Sequence, residues 1–268
     1  MGLGINTNTA ALGASRQIDR ATGLVNRNLQ QLSSALRINR AADDASGLAI
    51  AERFNSLARQ FRGEINNLQS GISAAQTADG GLSAQQDAVQ RIRELAVQAS
   101  NGTLTDDQRA ALNAEAQQLL EQIDDTAGNT QFNGQQLLNQ DQTVSLGVEG
   151  GVSLELQNSD AAALGLGGVD LSTAAGAASA LDAADNALNE IASRRASIGA
   201  QSNRFESAIN QRAEGEVNAL DSESRIRDLD LARASIERSR NQLLLQSGIA
   251  GLVQGNVTPQ SALRLLGQ

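Results

Sequence analysis

LDLARASIERSRNQLLLQSGIAGLVQGNVTPQSALRLLGQ, Leu229–Gln268, decides how the rest of the chain has to fold. Leu229, Ile236, Leu243 and Ala250 step by seven, the spacing of a left-handed coiled-coil seam. Leu245, Ile249 and Leu252 widen the row, while Ser239 and Gln246 interrupt its second line. One helix cannot bury such a stripe against itself, so it requires a partner. The matching stripe without a local partner lies at the opposite end of the chain. There Ile5, Leu12 and Ile18 lead into Val25, Leu29, Leu32 and Leu36, the last three steps being four, three and four. The predicted seam therefore joins Val25, Leu29, Leu32 and Leu36 to Leu229, Ile236, Leu243 and Ala250. A membrane-surface helix is a second reading of the first stripe, weakened by a polar face that is mostly neutral.

Composition narrows the class. Aromatics make up 1% of the 268 residues, four Phe with no Trp or Tyr, which is thin for a globular core. Ala, Leu, Ile and Val supply most of the 40% hydrophobic content, the mixture of long helices touching along narrow seams. With no Cys, His, Lys or Tyr, thiolate, imidazole and Schiff-base chemistry are excluded, and the commonest metal ligands are missing. No catalytic, cofactor or metal site is expected, and the chain reads as a non-enzyme. A net charge of −9, with every cation an Arg, argues against nucleic acid and anionic membrane as partners. The start of the sequence lacks a secretory signal pattern, and no window is apolar enough to span a membrane.

Between the two ends the chain reads in order. Ser33, Ser34, Asn39 and Gly47 weaken the helix around Leu32–Phe54, and Asp43 with Asp44 suit the start of a new one. Phe54, Phe61, Leu68, Ala75, Leu82, Val89 and Ala96 then hold a seven-residue step to about Ser100. Thr105 with Gln108 forms a capping box before a shorter helix ending near Asp124. From Gly128 to Leu171, Val144, Leu146 and Val148 alternate before Glu149-Gly150-Gly151, and Val152, Leu154 and Leu156 after it, a β-hairpin pattern. Ala184, Ile191, Ile198 and Phe205 resume the helical step. A second joint is expected at Gly215 and Asp221–Ser224, and Thr258-Pro259 reads as the start of a final short helix.

The predicted fold class is mainly α: an elongated rod of long helices, with a terminal coiled coil plus an antiparallel helical bundle carrying a small β-hairpin region. Residues 1–42 and 222–268 form the coiled coil, 43–127 and 172–221 the bundle, and 128–171 the hairpin part of the bundle.

The long motifs of the chain resemble bacterial flagellin. They include INTNTAAL from Ile5, LSSALRINRAADDASGLAIAERF from Leu32, QRIRELAVQASNGT from Gln90, FNGQQLL from Phe132, and ASIGAQSNRFESAI from Ala196. They end with DLDLARASIERSRNQLLLQSGIAGLVQGNVTPQSALRLLG from Asp228. The resemblance implies an inner coiled-coil domain from the paired termini, a bundle outside it, and a minimal form lacking outer variable domains. It implies self-assembly into the filament used for motility, with the cap and junction proteins as partners. Export would follow the flagellar type III route without a cleaved signal peptide, with a chaperone on the carboxyl-terminal segment. It also implies recognition by the host Toll-like receptor for flagellin through Arg91, Leu95 and Glu115, flanked by Gln90 and Val97, positions that also suit subunit packing.

Other classes remain open on the residues alone. A hook–filament junction protein shares the terminal motifs and is the alternative function. A non-assembling coiled-coil scaffold would need only the heptads. An enzyme would have to work with paired carboxylates such as Asp106 with Asp107 or Asp124 with Asp125, each at a helix end where capping is the simpler role.

Overall fold

The computed structural model describes residues 8–266. In chain order they form α1 (Thr9–Ser34), α2 (Ala45–Ala99), α3 (Asp106–Asn129), β1 (Gln131–Phe132), β2 (Gln135–Gln136), β3 (Gln142–Val148), β4 (Val152–Leu156), α4 (Ala174–Arg227) and α5 (Leu231–Leu266). The protein is mainly α with two small antiparallel strand pairs. The chain divides into two compact units, Met1–Ala58 with Val217–Gln268, and Arg59–Glu216. The expectation for Ile5 falls outside the described residues, as do the side chains of Thr258 and Pro259.

In the first unit, α1 and α5 pack together antiparallel, with Asn8 Nδ2 donating to the Gly255 carbonyl at 3.0 Å at one end and Leu36 bridging Asp228 at the other. Asn8 caps α1, its side chain accepting the Ala11 N–H at 3.0 Å. The paired acids of the first joint hold backbone. Asp43 Oδ2 accepts the N–H groups of Asn39 and Arg40, and Asp44 Oδ1 accepts that of Gly47 at 2.8 Å, capping α2.

The second joint differs from the expectation. α4 runs unbroken through Gly215 and Asp221–Ser224 to Arg227, and the chain turns at residues 228–230. Two features explain this. A Cβ at Gly215 would stand 2.9 Å from the Phe61 ring, so this glycine serves close packing rather than a break. Beyond it, Arg225 pairs with Asp221 and Arg227 with Glu223, both at i,i+4, which supports the helix. The backbone of α5 likewise continues past Pro259 to Leu266, although a proline there donates no i→i−4 hydrogen bond.

The second unit carries the main core. Leu68, Leu82, Ile92 and Leu95 of α2 meet Ile123 of α3, Leu154 of the hairpin, and Ile191 and Phe205 of α4, all nearly inaccessible. Both halves of the Thr105–Gln108 capping box form, and α3 runs on to Asn129, beyond the expected end near Asp124. Asp124 instead accepts the Ala161 N–H at 2.7 Å and anchors the loop after the hairpin. Gln85, fully buried, donates to the carbonyls of Ile123 and Ser159 and so ties α2 to α3 and the same loop. In the hairpin, the register slips between Ser145 and Val148, where Gly147 takes φ +61, and Gly150 and Gly151 make the turn at positive φ.

The hairpin seats on α2 because Gly71 leaves room for it: a Cβ there would stand 2.6 Å from Leu146 Cδ1. Gly71→Val is expected to lower the thermal stability of the protein by about 1–3 kcal/mol, the cost of overpacking a filled site. Gly80→Ala, where a Cβ meets nothing within 4 Å, should instead raise it by up to about 1 kcal/mol. Paired melting curves decide whether the gap at Gly71 is structural.

Candidate functional site

The α1–α5 pair has two faces, and the structure assigns them differently from the sequence reading. On α1 the covered positions are Ala11, Ala14, Ile18, Ala21, Val25, Asn28 and Leu32; on α5 they are Ala234, Arg238, Asn241, Leu245, Gly248, Leu252 and Gly255. Each set alternates steps of three and four, the spacing of a coiled-coil seam. Alanine and glycine alternate in it with larger residues, and a Cβ at Gly248 would stand 3.1 Å from Ile18 Cγ1, so the helices come close where α5 has glycine.

The expected α5 row therefore does not form this seam. Ile236 is 70% exposed and Leu243 66%, and Ala250 is exposed as well. The row lies two residues, about 200° of helix, from the Ala234–Asn241–Gly248 line, which puts it on the far side. Leu229 sits at the joint, its N–H donating to the Ala35 carbonyl at 3.0 Å. On α1, Val25 and Leu32 are in the seam, Leu36 belongs to the joint, and Leu29 faces outward with Leu12 and Leu24. Leu231, Leu244, Ile249, Val253 and Val257 add to the outward apolar surface of α5. The seam residues missed by sequence reasoning had a signal: Gly248 and Gly255 repeat at seven.

A second cluster spans α2 and α3. Arg91 donates to Glu115 Oε1 from Nε at 3.0 Å and from Nη2 at 2.8 Å, and to Glu94 from Nη1 at 3.0 Å. The hydrogen bonds from Glu115 first, and from Glu94 next, hold the guanidinium above its ordinary pKa. Gln90 and Val97 are exposed on the same helix. Leu95 parts from them: it is 1% exposed and falls in the row Ala88, Ile92, Leu95 and Ala99 that the core covers. A partner approaching the folded bundle meets Arg91 and Glu115 but not Leu95.

Neither acidic pair is arranged for catalysis. Asp106 meets Arg109 at 3.4 Å in the first turn of α3, and Asp124 is taken by backbone. Among the described residues no group of His, Cys, Asp or Glu could hold a metal ion, and no helix is long and apolar enough to cross a membrane.

Against known proteins, the family model for the bacterial flagellin N-terminal helical region matches residues 5–143, and that for the bacterial flagellin C-terminal helical region matches residues 181–266. The chain belongs to the flagellin family. A flagellin of Halalkalibacterium halodurans is 40% identical, with 98% of this chain and 99% of that protein covered. A flagellin of Bacillus subtilis is 36% identical over the same shares, as is the flagellar filament 33 kDa core protein of Treponema phagedenis. A solved structure titled as a putative flagellar hook-associated protein from Vibrio parahaemolyticus shares the fold, with a TM-score of 0.55 at 17% identity, covering 69% of this chain and 97% of that one. Only residues 144–180 separate the two matched regions of this flagellin, which lacks a variable outer domain.

Proposed function

We propose that this flagellin is a structural subunit that assembles with copies of itself into the flagellar filament, and that neighbouring copies cover the outward apolar rows of α5 and α1. Ile236 and Leu243 carry the reading: large apolar side chains stand exposed on a helix whose other face is already occupied. A row of large exposed apolar side chains of this kind marks an association site. Repetition by one operator would cover it on every copy except those at the ends. Relatives named as flagellins and filament core proteins support the same reading.

The finer parts rest on the family. The paired termini would be the inner, coiled-coil domain of the subunit. The chain would leave the cell by the flagellar type III route, its α5 segment held by a chaperone, and would meet the cap and junction proteins at the filament's ends. Arg91 and Glu115, with Gln90 and Val97 beside them, form the surface offered to a flagellin-sensing Toll-like receptor, and to neighbouring subunits in the filament. Purified protein added to short filament fragments is expected to extend them into micrometre fibres seen by electron microscopy. Stubs that never lengthen would favour a hook–filament junction role, and a small uniform oligomer in light scattering would reject assembly altogether.

A further inference from the structure

The chain contains two Asn-Gly pairs, Asn101-Gly102 and Asn133-Gly134, and the structure surrounds them very differently. Asn101-Gly102 lies in the turn between α2 and α3. Asn101 Oδ1 accepts two hydrogen bonds, from the Thr103 N–H at 3.1 Å and the Thr103 hydroxyl at 3.0 Å. The Asn101 main-chain carbonyl also accepts two, from the Leu104 N–H at 3.2 Å and from Arg109 Nη2 at 3.0 Å. Arg109 is itself buried and fixed by a bond from Nε to the Ala99 carbonyl at 3.1 Å. The Gly102 N–H meets no acceptor among the described residues, and the space beside Gly102 is open.

We propose that Asn101 is a self-modification site at which the folded protein promotes its own deamidation. Hydroxide removes the proton of the Gly102 N–H. The resulting anion is delocalised onto the Asn101 carbonyl oxygen, where the Arg109 guanidinium and the Leu104 N–H stabilise it. The Gly102 nitrogen then bonds to Asn101 Cγ, and the negative charge moves to Oδ1, where the two Thr103 donors stabilise it as donors do in an oxyanion hole. Collapse of that intermediate breaks the Cγ–Nδ2 bond, and Nδ2 leaves as ammonia after taking a proton from water. Water opens the succinimide at either carbonyl and leaves aspartate or isoaspartate at position 101. The net reaction consumes one water and releases one ammonia, with no oxidation. The isoaspartate product adds a carbon to the main chain in the turn that positions Arg109.

Asn133-Gly134 provides an internal reference. Its residues hold φ +51 and +80 in the two-residue turn between β1 and β2, with the pair Phe132–Gln135 directly flanking it. Among the described residues its side-chain carbonyl has no donor. The proposed activation is therefore absent there.

The test follows both sites by peptide mapping and mass spectrometry on the full-length protein in mildly alkaline buffer, folded and in urea. In urea the two sites should react at similar rates. Folded, Asn101 should exceed Asn133 by about tenfold, the worth of two charge-assisted hydrogen bonds weakened by the exposure of Asn101 and Thr103 to water. Thr103→Val keeps the N–H donor and removes the hydroxyl, and should slow Asn101 about fivefold while leaving Asn133 unchanged; Thr103→Ser should restore the rate. An Asn101 rate in the folded protein no greater than its own rate in urea or than that of folded Asn133, or one that Thr103→Val leaves unchanged with the fold intact by circular dichroism, overturns the proposal.

Discussion

A chain carrying Ile236→Asp and Leu243→Asp is expected to form no filaments under conditions where the unaltered protein does, with helical content and a melting curve close to those of the parent. Both side chains are mostly exposed in the single copy and lie on the face of α5 turned away from α1. Substitutions at such positions usually change the stability of one copy by no more than about 0.5 kcal/mol. The assembled state is where they act. Burying an Ile or Leu against a neighbour contributes about 1.5–3 kcal/mol each, and an aspartate in its place would have to be desolvated without a partner. Two such losses in every copy weaken each contact by about 5 kcal/mol, a factor of several thousand in association. Electron microscopy and sedimentation read the filament, and circular dichroism reads the subunit. Filaments of normal length would show that some other surface carries assembly.

The same two residues show what a periodic pattern can and cannot reveal. A seven-residue step gives the period of a helix face but not its phase, and α5 carries two such lines. One is large and apolar, Ile236 and Leu243; the other is small and mixed, Ala234, Asn241 and Gly248. Hydrophobicity favours the first as the partner seam. Close packing selects the second, because Ile18 fits against Gly248, and the larger residues are left facing out.

Where local chemistry dictates structure, the sequence was readable. The box at Thr105 and Gln108, the cap at Asp44, and the Glu149-Gly150-Gly151 turn all follow from side chains satisfying nearby backbone or from glycines at positive φ. Gly215 was misread for the opposite reason, since its role comes from Phe61, more than a hundred residues away in sequence. The β1–β2 turn at Asn133-Gly134 is too short for periodicity to register. Arg91 and Glu115 meet only because α3 folds back on α2, whereas Leu95 shows in its own heptad row the burial that separates it from them.

Arg212→Ala is expected to destabilise the second unit by about 3–5 kcal/mol, the cost of stranding a buried charge. The partner left behind is Glu64, which is 5% exposed. Arg212 Nε faces Glu64 Oε2 at 2.7 Å but off the N–H axis, so the two attract as charges without a hydrogen bond. The remaining support for Glu64 is Gln60, whose Nε2 donates to Oε1 at 2.9 Å. Arg212 also lies over the Phe61 ring, 5.8 Å from its centroid, and donates from Nη2 to the Glu149 carbonyl at the hairpin turn. Its removal thus uncovers a carboxylate, an aromatic face and a carbonyl together. The pair need not stabilise the fold relative to apolar residues, because desolvating two charges offsets most of their attraction. Replacing both, Glu64→Leu with Arg212→Met, should recover most of the loss, and the coupling between the two sites should be about 2–3 kcal/mol in a double-mutant cycle. Chemical denaturation of the unaltered protein, Glu64→Leu, Arg212→Met and the double variant measures it. If Arg212→Ala costs less than about 1 kcal/mol, Glu64 has water within reach and the site is not the closed one that its burial describes.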